Sequence, residues 1–280
     1  ATYTLTLTGT DKAGYSGGSV VMDTFMGQFR LGHADGGSGI DAFDDKMPTA
    51  WEETWGHGMG TGIDLQKGVS SAMNIGWTSP SFMGTTLKLA VAPGGNKAAF
   101  TNDKSVGGAN TEKQGGYDAL IEIKPSFGVD ALSGWTVWAG GSETEQAIKN
   151  AGKSGNDHQE VNAGTTFAYG PVSVGFQKMG EFTGSETAGA TEYYKNQAFG
   201  VSFNVSDNLS ISYGEFESVR KMIGSGTTIK SVTAETQSFQ IAYTMGGMSL
   251  KLAESEVTNA SYSTAAANDH DGRTIALSLA

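Results

Sequence analysis

Apolar and polar side chains alternate with a period of two from the first residues of the chain. Tyr3, Leu5 and Leu7 fall on one face, and Thr2, Thr4, Thr6 and Thr8 on the other. The same period recurs at Met73/Ile75/Trp77, Leu87/Leu89/Val91, Val161/Ala163/Phe167/Tyr169, Val172/Val174/Phe176, Phe199/Val201/Phe203/Val205, Leu209/Ile211/Tyr213, Phe239/Ile241/Tyr243, Leu250/Leu252 and Ile275/Leu277/Leu279. The opposite faces carry mostly Ser, Thr, Asn, Gln, Gly and Lys, so each stretch predicts a β-strand with a single apolar face.

Connections between these stretches alternate in length. Short ones fall at 23–26, 79–83, 126–133, 169–171, 206–208 and 245–247; long polar ones fall at 34–67, 93–115, 141–157, 182–190, 219–230 and 254–271. Strict alternation is expected of an up-and-down antiparallel β-barrel that crosses a membrane, with turns at one rim and loops at the other. A soluble Greek key has no reason to show it. The connections count out to about fourteen strands. In lipid every backbone N–H and C=O needs an internal partner, so the sheet must close, with its apolar face toward lipid and its polar face toward a water-filled lumen. Trp77, Tyr169, Phe203, Tyr213 and Tyr243 lie toward the short turns, where an interfacial aromatic girdle would sit.

Composition narrows this without changing it. The 280 residues suit one all-β domain over 1–280, and 41 Gly with only 5 Pro and no G-x-y period read as turn-rich β-structure. The absence of Cys removes disulfides, thiolate metal sites and cysteine nucleophiles. A net charge of −11 argues against nucleic acid as a partner. No apolar run approaches the length of a membrane helix, and no secretory leader stands at Ala1, so any such leader is expected to have been removed. The four His residues show no H-E-x-x-H spacing, and neither G-x-S-x-G nor a P-loop occurs, so the chain is not expected to be an enzyme.

The longest loop, 34–62, carries Asp35, Asp41, Asp44, Asp45, Glu52 and Glu53 against the single base Lys46. It also holds Ile40, Phe43, Met47, Trp51 and Trp55, too many large apolar groups for a loop lying freely in water, so it should pack against something. Facing bases are available at polar-face positions Arg30, Lys88, Lys124 and Lys251. Acids on an inserted loop opposite bases on a wall would set a transverse field across a narrow pore. Residues 36–43 match one copy of the calcium nonapeptide of β-rolls, but that fold needs stacked copies and no second copy occurs. Asp35, Asp41 and Asp44 remain the candidate set for a calcium ion within the loop; otherwise no metal or cofactor is expected.

The run Phe25-Met26-Gly27-Gln28-Phe29-Arg30-Leu31-Gly32, followed by an acidic, Trp-containing loop, resembles the general porins of Gram-negative bacteria, most closely those of alphaproteobacteria. The resemblance implies a channel in the cell outer membrane for passive diffusion of ions and small hydrophilic solutes, in contact with lipid and lipopolysaccharide and assembled as a homotrimer. It gives loop 34–62 the role of constriction loop, its eyelet acids drawn from Asp41, Asp44, Asp45, Glu52 and Glu53, facing the pore-wall bases Arg30, Lys88, Lys124 and Lys251 that the alternation supplies. The family barrel has sixteen strands, which predicts an N-terminal hairpin before Ala1, and the Ile275/Leu277/Leu279 phase predicts an outward Phe after Ala280. Two alternatives stand beside this reading: a substrate-specific barrel channel or surface and phage receptor, and a soluble β-rich adhesin or lectin.

Overall fold

The computed structural model describes residues 2–8, 14–34, 36–56, 59–70, 72–94, 113–125, 128–146, 156–224 and 231–279. Asp35 and His57 fall outside them, as do most of the connections around 95–112, 147–155 and 225–230.

Fourteen strands form one sheet in chain order: β1 (Thr2–Thr8), β2 (Gly14–Thr24), β3 (Gly27–His33), β4 (Met73–Thr78), β5 (Thr85–Pro93), β6 (Lys113–Ile123), β7 (Trp135–Gln146), β8 (His158–Tyr169), β9 (Val172–Phe182), β10 (Thr191–Ser206), β11 (Leu209–Met222), β12 (Ser231–Met245), β13 (Met248–Thr258) and β14 (His270–Leu279). Every neighbouring pair is antiparallel. The fold is all-β, an up-and-down meander whose short turns alternate with long loops as the sequence predicts. Helical structure among the described residues is confined to 3-10 turns such as Asp41–Phe43 and Ala260–Tyr262, and no described helix is long and apolar enough to cross a membrane.

Register turns the two-residue period into two chemically distinct surfaces. On one face Phe203, Ile211, Ile241, Leu252 and Ile275 stand side by side across β10 to β14. On the other face, one residue along, Ser202, Ser212, Gln240, Ala253 and Thr274 form the matching row. The apolar row is the exposed one: Phe239 is 43% exposed, whereas its neighbour Gln240 is 1% exposed. Leu31, Ile75, Leu87, Val161, Val174 and Leu277 extend the exposed apolar belt along the sheet. A belt this continuous far exceeds the apolar patches that water tolerates on a monomer and matches the lipid-facing wall of a transmembrane barrel. Toward the long loops the belt gives way to the outward row Glu215, Gln237, Glu256 and Asp271, which marks its upper limit.

The buried side is polar. Asp118, Glu160, Asn162, Gln177, Asn196, Ser218 and Gln240 are buried there beside the few large apolar groups Leu120, Trp138 and Phe216. What buries them is the connection between β3 and β4.

Candidate functional site

The β3–β4 connection lies across the inner face of the sheet, fastened by wall side chains to its own backbone. It enters at Ile40, whose N–H donates to Asp118 Oδ2 of β6 at 3.3 Å. The carbonyl of Phe43 accepts from Asn162 Nδ2 of β8 at 2.7 Å and from Gln177 Nε2 of β9. Trp138 Nε1 fixes the orientation of Asn162 by donating to its Oδ1 at 2.9 Å, and the Trp138 ring packs against Phe43 with centroids 5.5 Å apart. Ile40 and Phe43 thus enter a small apolar cluster with Leu120 and Trp138.

Further along, the N–H of Ala50 donates to Ser212 Oγ of β11 at 2.8 Å. The Gln240 amide of β12 receives the N–H groups of Trp51 and Glu52 at 3.0 and 3.1 Å and donates to the Glu52 carbonyl at 2.7 Å. One side-chain amide therefore serves as a strand edge for the loop. Trp55 packs on Phe216 of β11 at 4.6 Å between centroids. Gly175 and Gly200 leave room for this course, since a Cβ on either would strike Pro48.

The loop then turns back, and its inner-wall contacts continue past 62. His270 Nε2 of β14 meets the Met59 carbonyl at 2.7 Å. Asp64 donates its N–H to the Tyr262 hydroxyl at 3.1 Å and offers its carbonyl to Asn196 of β10 at 2.7 Å. Glu160 of β8 accepts from the N–H groups of Lys67 and Gly68 at 3.0 and 2.6 Å, and Asp118 accepts from Val69 at 3.1 Å. The path runs out from β6 to β14 and back to β6. Tyr262, from the β13–β14 connection, joins it by a 2.7 Å bond to Ser218 Oγ and by lying under the Arg220 guanidinium.

Asp41, Asp44 and Glu53 are partly buried, while Asp45 and Glu52 are exposed. Burial, reinforced by the neighbouring Asp41 and Asp45, pushes the Asp44 carboxyl up to about 8. A hydrogen bond with Glu52, followed by burial, raises Glu53. Crowded carboxylates on a loop away from bulk water hold protons to relieve their mutual repulsion. Asp45 pairs with Lys46 at 3.3 Å.

Three of the four wall bases lie against the loop. The Arg30 guanidinium sits on Gly37, where any Cβ would collide with it. Lys88 Nζ lies 5.5 Å from the Phe43 ring centroid, as does Lys46 Nζ, and Lys251 Nζ lies 5.9 Å from that of Trp51. Lys88 and Lys251 are thus held over aromatic faces of the loop. Lys124 stands just past the end of β6, exposed and paired with Glu122 at 3.3 Å.

The anchors Asp118, Glu160, Asn162, Gln177 and Gln240 were not singled out from the sequence; their only local signal is a place on the polar face of a strand. His158, Glu160 and Glu181 are the group of three possible metal ligands that converges among the described residues.

No family model and no curated protein sequence matches this chain. Solved structures do. An anion-selective porin from Comamonas acidovorans aligns over 89% of this chain and 69% of its own, with a TM-score of 0.57 at 11% identity. The fold is that of the outer-membrane porins. OmpT, an outer membrane protein of Vibrio cholerae solved in a trimer form, covers 99% of this chain and 86% of its own, with a TM-score of 0.59 at 11% identity. The outer membrane channel DcaP of Acinetobacter baumannii covers 86% and 77%, with a TM-score of 0.53 at 9% identity. At these identities the porin likeness is one of fold.

Proposed function

We propose that this chain forms a water-filled channel in the outer membrane of a Gram-negative bacterium, of the alphaproteobacterial type its sequence resembles, through which ions and small hydrophilic solutes diffuse passively. The observation that carries the reading is the inversion of the sheet: apolar side chains outward, polar side chains inward, and one acidic loop held across the polar side. In this reading the loop is the constriction, and selectivity comes from width and charge without reaction chemistry.

The sign of the selectivity follows from the loop. On the loop itself Asp41, Asp44, Asp45, Glu52 and Glu53 outnumber Lys46. The pore should therefore favour cations, in contrast to the anion-selective porin from Comamonas acidovorans. Assembly as a homotrimer in contact with lipid and lipopolysaccharide, and a calcium ion held by Asp35, Asp41 and Asp44, belong to the same proposal. The test is conductance in a planar bilayer. The folded protein should open discrete steps with a cation-selective reversal potential, and failure to open an ion-conducting pathway defeats the reading.

A further inference from the structure

Where the inserted loop returns toward β6, one imidazole and several carboxylates meet on the inner wall. Glu160 on β8 and Glu181 on β9 stand directly opposite each other in register. His158 lies two residues before Glu160 on the same face of β8. Its Nε2 is 3.0 Å from Glu181 Oε1, and one ligand atom from each of the three residues falls within 4.8 Å of the others. Asp64, on the returning loop, is electrostatically coupled to both Glu181 and His158. Burial, then the charge of Glu181, raises the Asp64 carboxyl, with Lys67 and His158 pulling the other way.

We infer that His158, Glu160 and Glu181 form a site for a zinc-class divalent cation on the inner wall beneath the returning loop. Around a zinc ion, N and O donors at about 2.1 Å are separated from one another by about 3.4 Å. His158 Nε2 and Glu181 Oε1, 3.0 Å apart, are already near that separation, all three donors lie within 4.8 Å of one another, and the paired backbones of β8 and β9 fix where their side chains start. Only small rotations would bring three donors onto one ion, leaving a fourth position for water.

The donor set selects the class of metal. A neutral imidazole with carboxylates suits zinc and its first-row neighbours, whereas calcium asks for six to eight oxygens and magnesium for an octahedral shell kept largely as water. Glu160 is buried and spends two of its roughly four acceptor positions on the Lys67 and Gly68 N–H groups, so it can ligate through the others. It would then connect the ion to the loop backbone as an outer support. Among the described residues, the carboxylates of Asp64, Glu160 and Glu181 gather beside His158 and the exposed Lys67, and a divalent ion would offset their negative charge. A bound ion would also fasten residues 64–69 to the wall, because a ligand that binds the ordered arrangement stabilises it.

Copper(II) serves as the probe, added at one equivalent to the folded protein in detergent and followed by electron paramagnetic resonance, with zinc(II) as competitor. The expected result is one saturable site with nitrogen splitting from a single imidazole, displaced by zinc. His158→Ala should remove the splitting, and Glu181→Gln should weaken zinc competition at least tenfold. His33→Ala, on the opposite face of β3, should leave both unchanged. Because Glu160→Gln would also release the loop, the variants at His158 and Glu181 carry the test; each is first checked for migration as a folded barrel. Nitrogen splitting that persists in His158→Ala, or zinc competition untouched by Glu181→Gln, overturns the inference. The readout needs no membrane, so its failure leaves the channel reading standing, and a chain that never conducts could still bind the ion.

Discussion

Asp118 on β6 accepts the backbone N–H of Val69 at 3.1 Å, and the same carboxylate receives Ile40, at the other end of the loop, at 3.3 Å. One buried side chain thus ties together the entry and the exit of the inserted segment. Gly39 and Gly68, both at positive φ, pass so close to Asp118 that a Cβ on either would overlap its carboxylate.

Removing that tie should be costly. Asp118→Ala leaves two buried loop N–H groups without their acceptor, each at a cost of roughly 1–2 kcal/mol. A loss of about 2–4 kcal/mol in unfolding free energy is expected, read by urea titration in lipid vesicles, together with noisier single-channel currents. A variant as stable and quiet as the native protein would show that Asp118 does not hold the loop.

The glycines give a finer comparison. Gly68 and Gly60 share a left-handed backbone, φ +52° and +59°, but a Cβ on Gly68 meets Asp118 while a Cβ on Gly60 meets nothing within 4 Å. Gly60→Ala should cost the backbone penalty alone, about 1 kcal/mol. Gly68→Ala should cost clearly more, because Asp118 must also move. Equal losses in the same titration would contradict the close approach.

Gln240 holds the middle of the loop by three hydrogen bonds to Trp51 and Glu52. Gln240→Ala should free that part of the constriction while the barrel stays folded. Larger and more variable conductance steps are the expected outcome in planar bilayers, and step sizes identical to the native protein would place the narrow point elsewhere.

Asp44 makes selectivity depend on pH. Its folded value of about 8 lies above the ordinary carboxyl value near 4, so folding favours the protonated form. The sign follows: its contribution to stability is complete below about pH 4 and is lost as pH rises through about 8. Over the same interval the loop gains negative charge, so cation preference should rise with pH. Reversal potentials across a salt gradient at pH 6 and pH 9 measure this, and Asp44→Asn should flatten the difference. Neutralising Asp41, Asp44 and Asp45 together should lower cation preference at every pH, and unchanged potentials would remove these acids from the pore.

The strands were legible because the period that reveals them is local. Phe239, Ile241 and Tyr243 point the same way whatever lies around them, and the short connections at 169–171 and 206–208 leave room only for turns. The packing of loop 34–62 was legible in outline, since Ile40, Phe43, Trp51 and Trp55 could not all face water. Its fasteners were not. Gln240 meets a loop 189 positions earlier in the chain, and nothing beside it in sequence distinguishes it from the other glutamines of polar faces. His158, Glu160 and Glu181 come together because the β8–β9 register sets Glu160 opposite Glu181, and a one-residue slip would send Glu181 to the other face. Lys88 and Lys251 were read as wall charges opposing acids, and the structure turns their ammonium groups onto aromatic rings.

The sequence by itself determined a fourteen-stranded meander with one apolar and one polar face, because side-chain direction in a strand depends only on position along it. The tertiary structure decided which polar groups touch the loop, which carboxylates crowd together and where they hold protons. Those properties depend on distances between residues far apart in the chain, and only strand register and the loop's course across the wall set those distances.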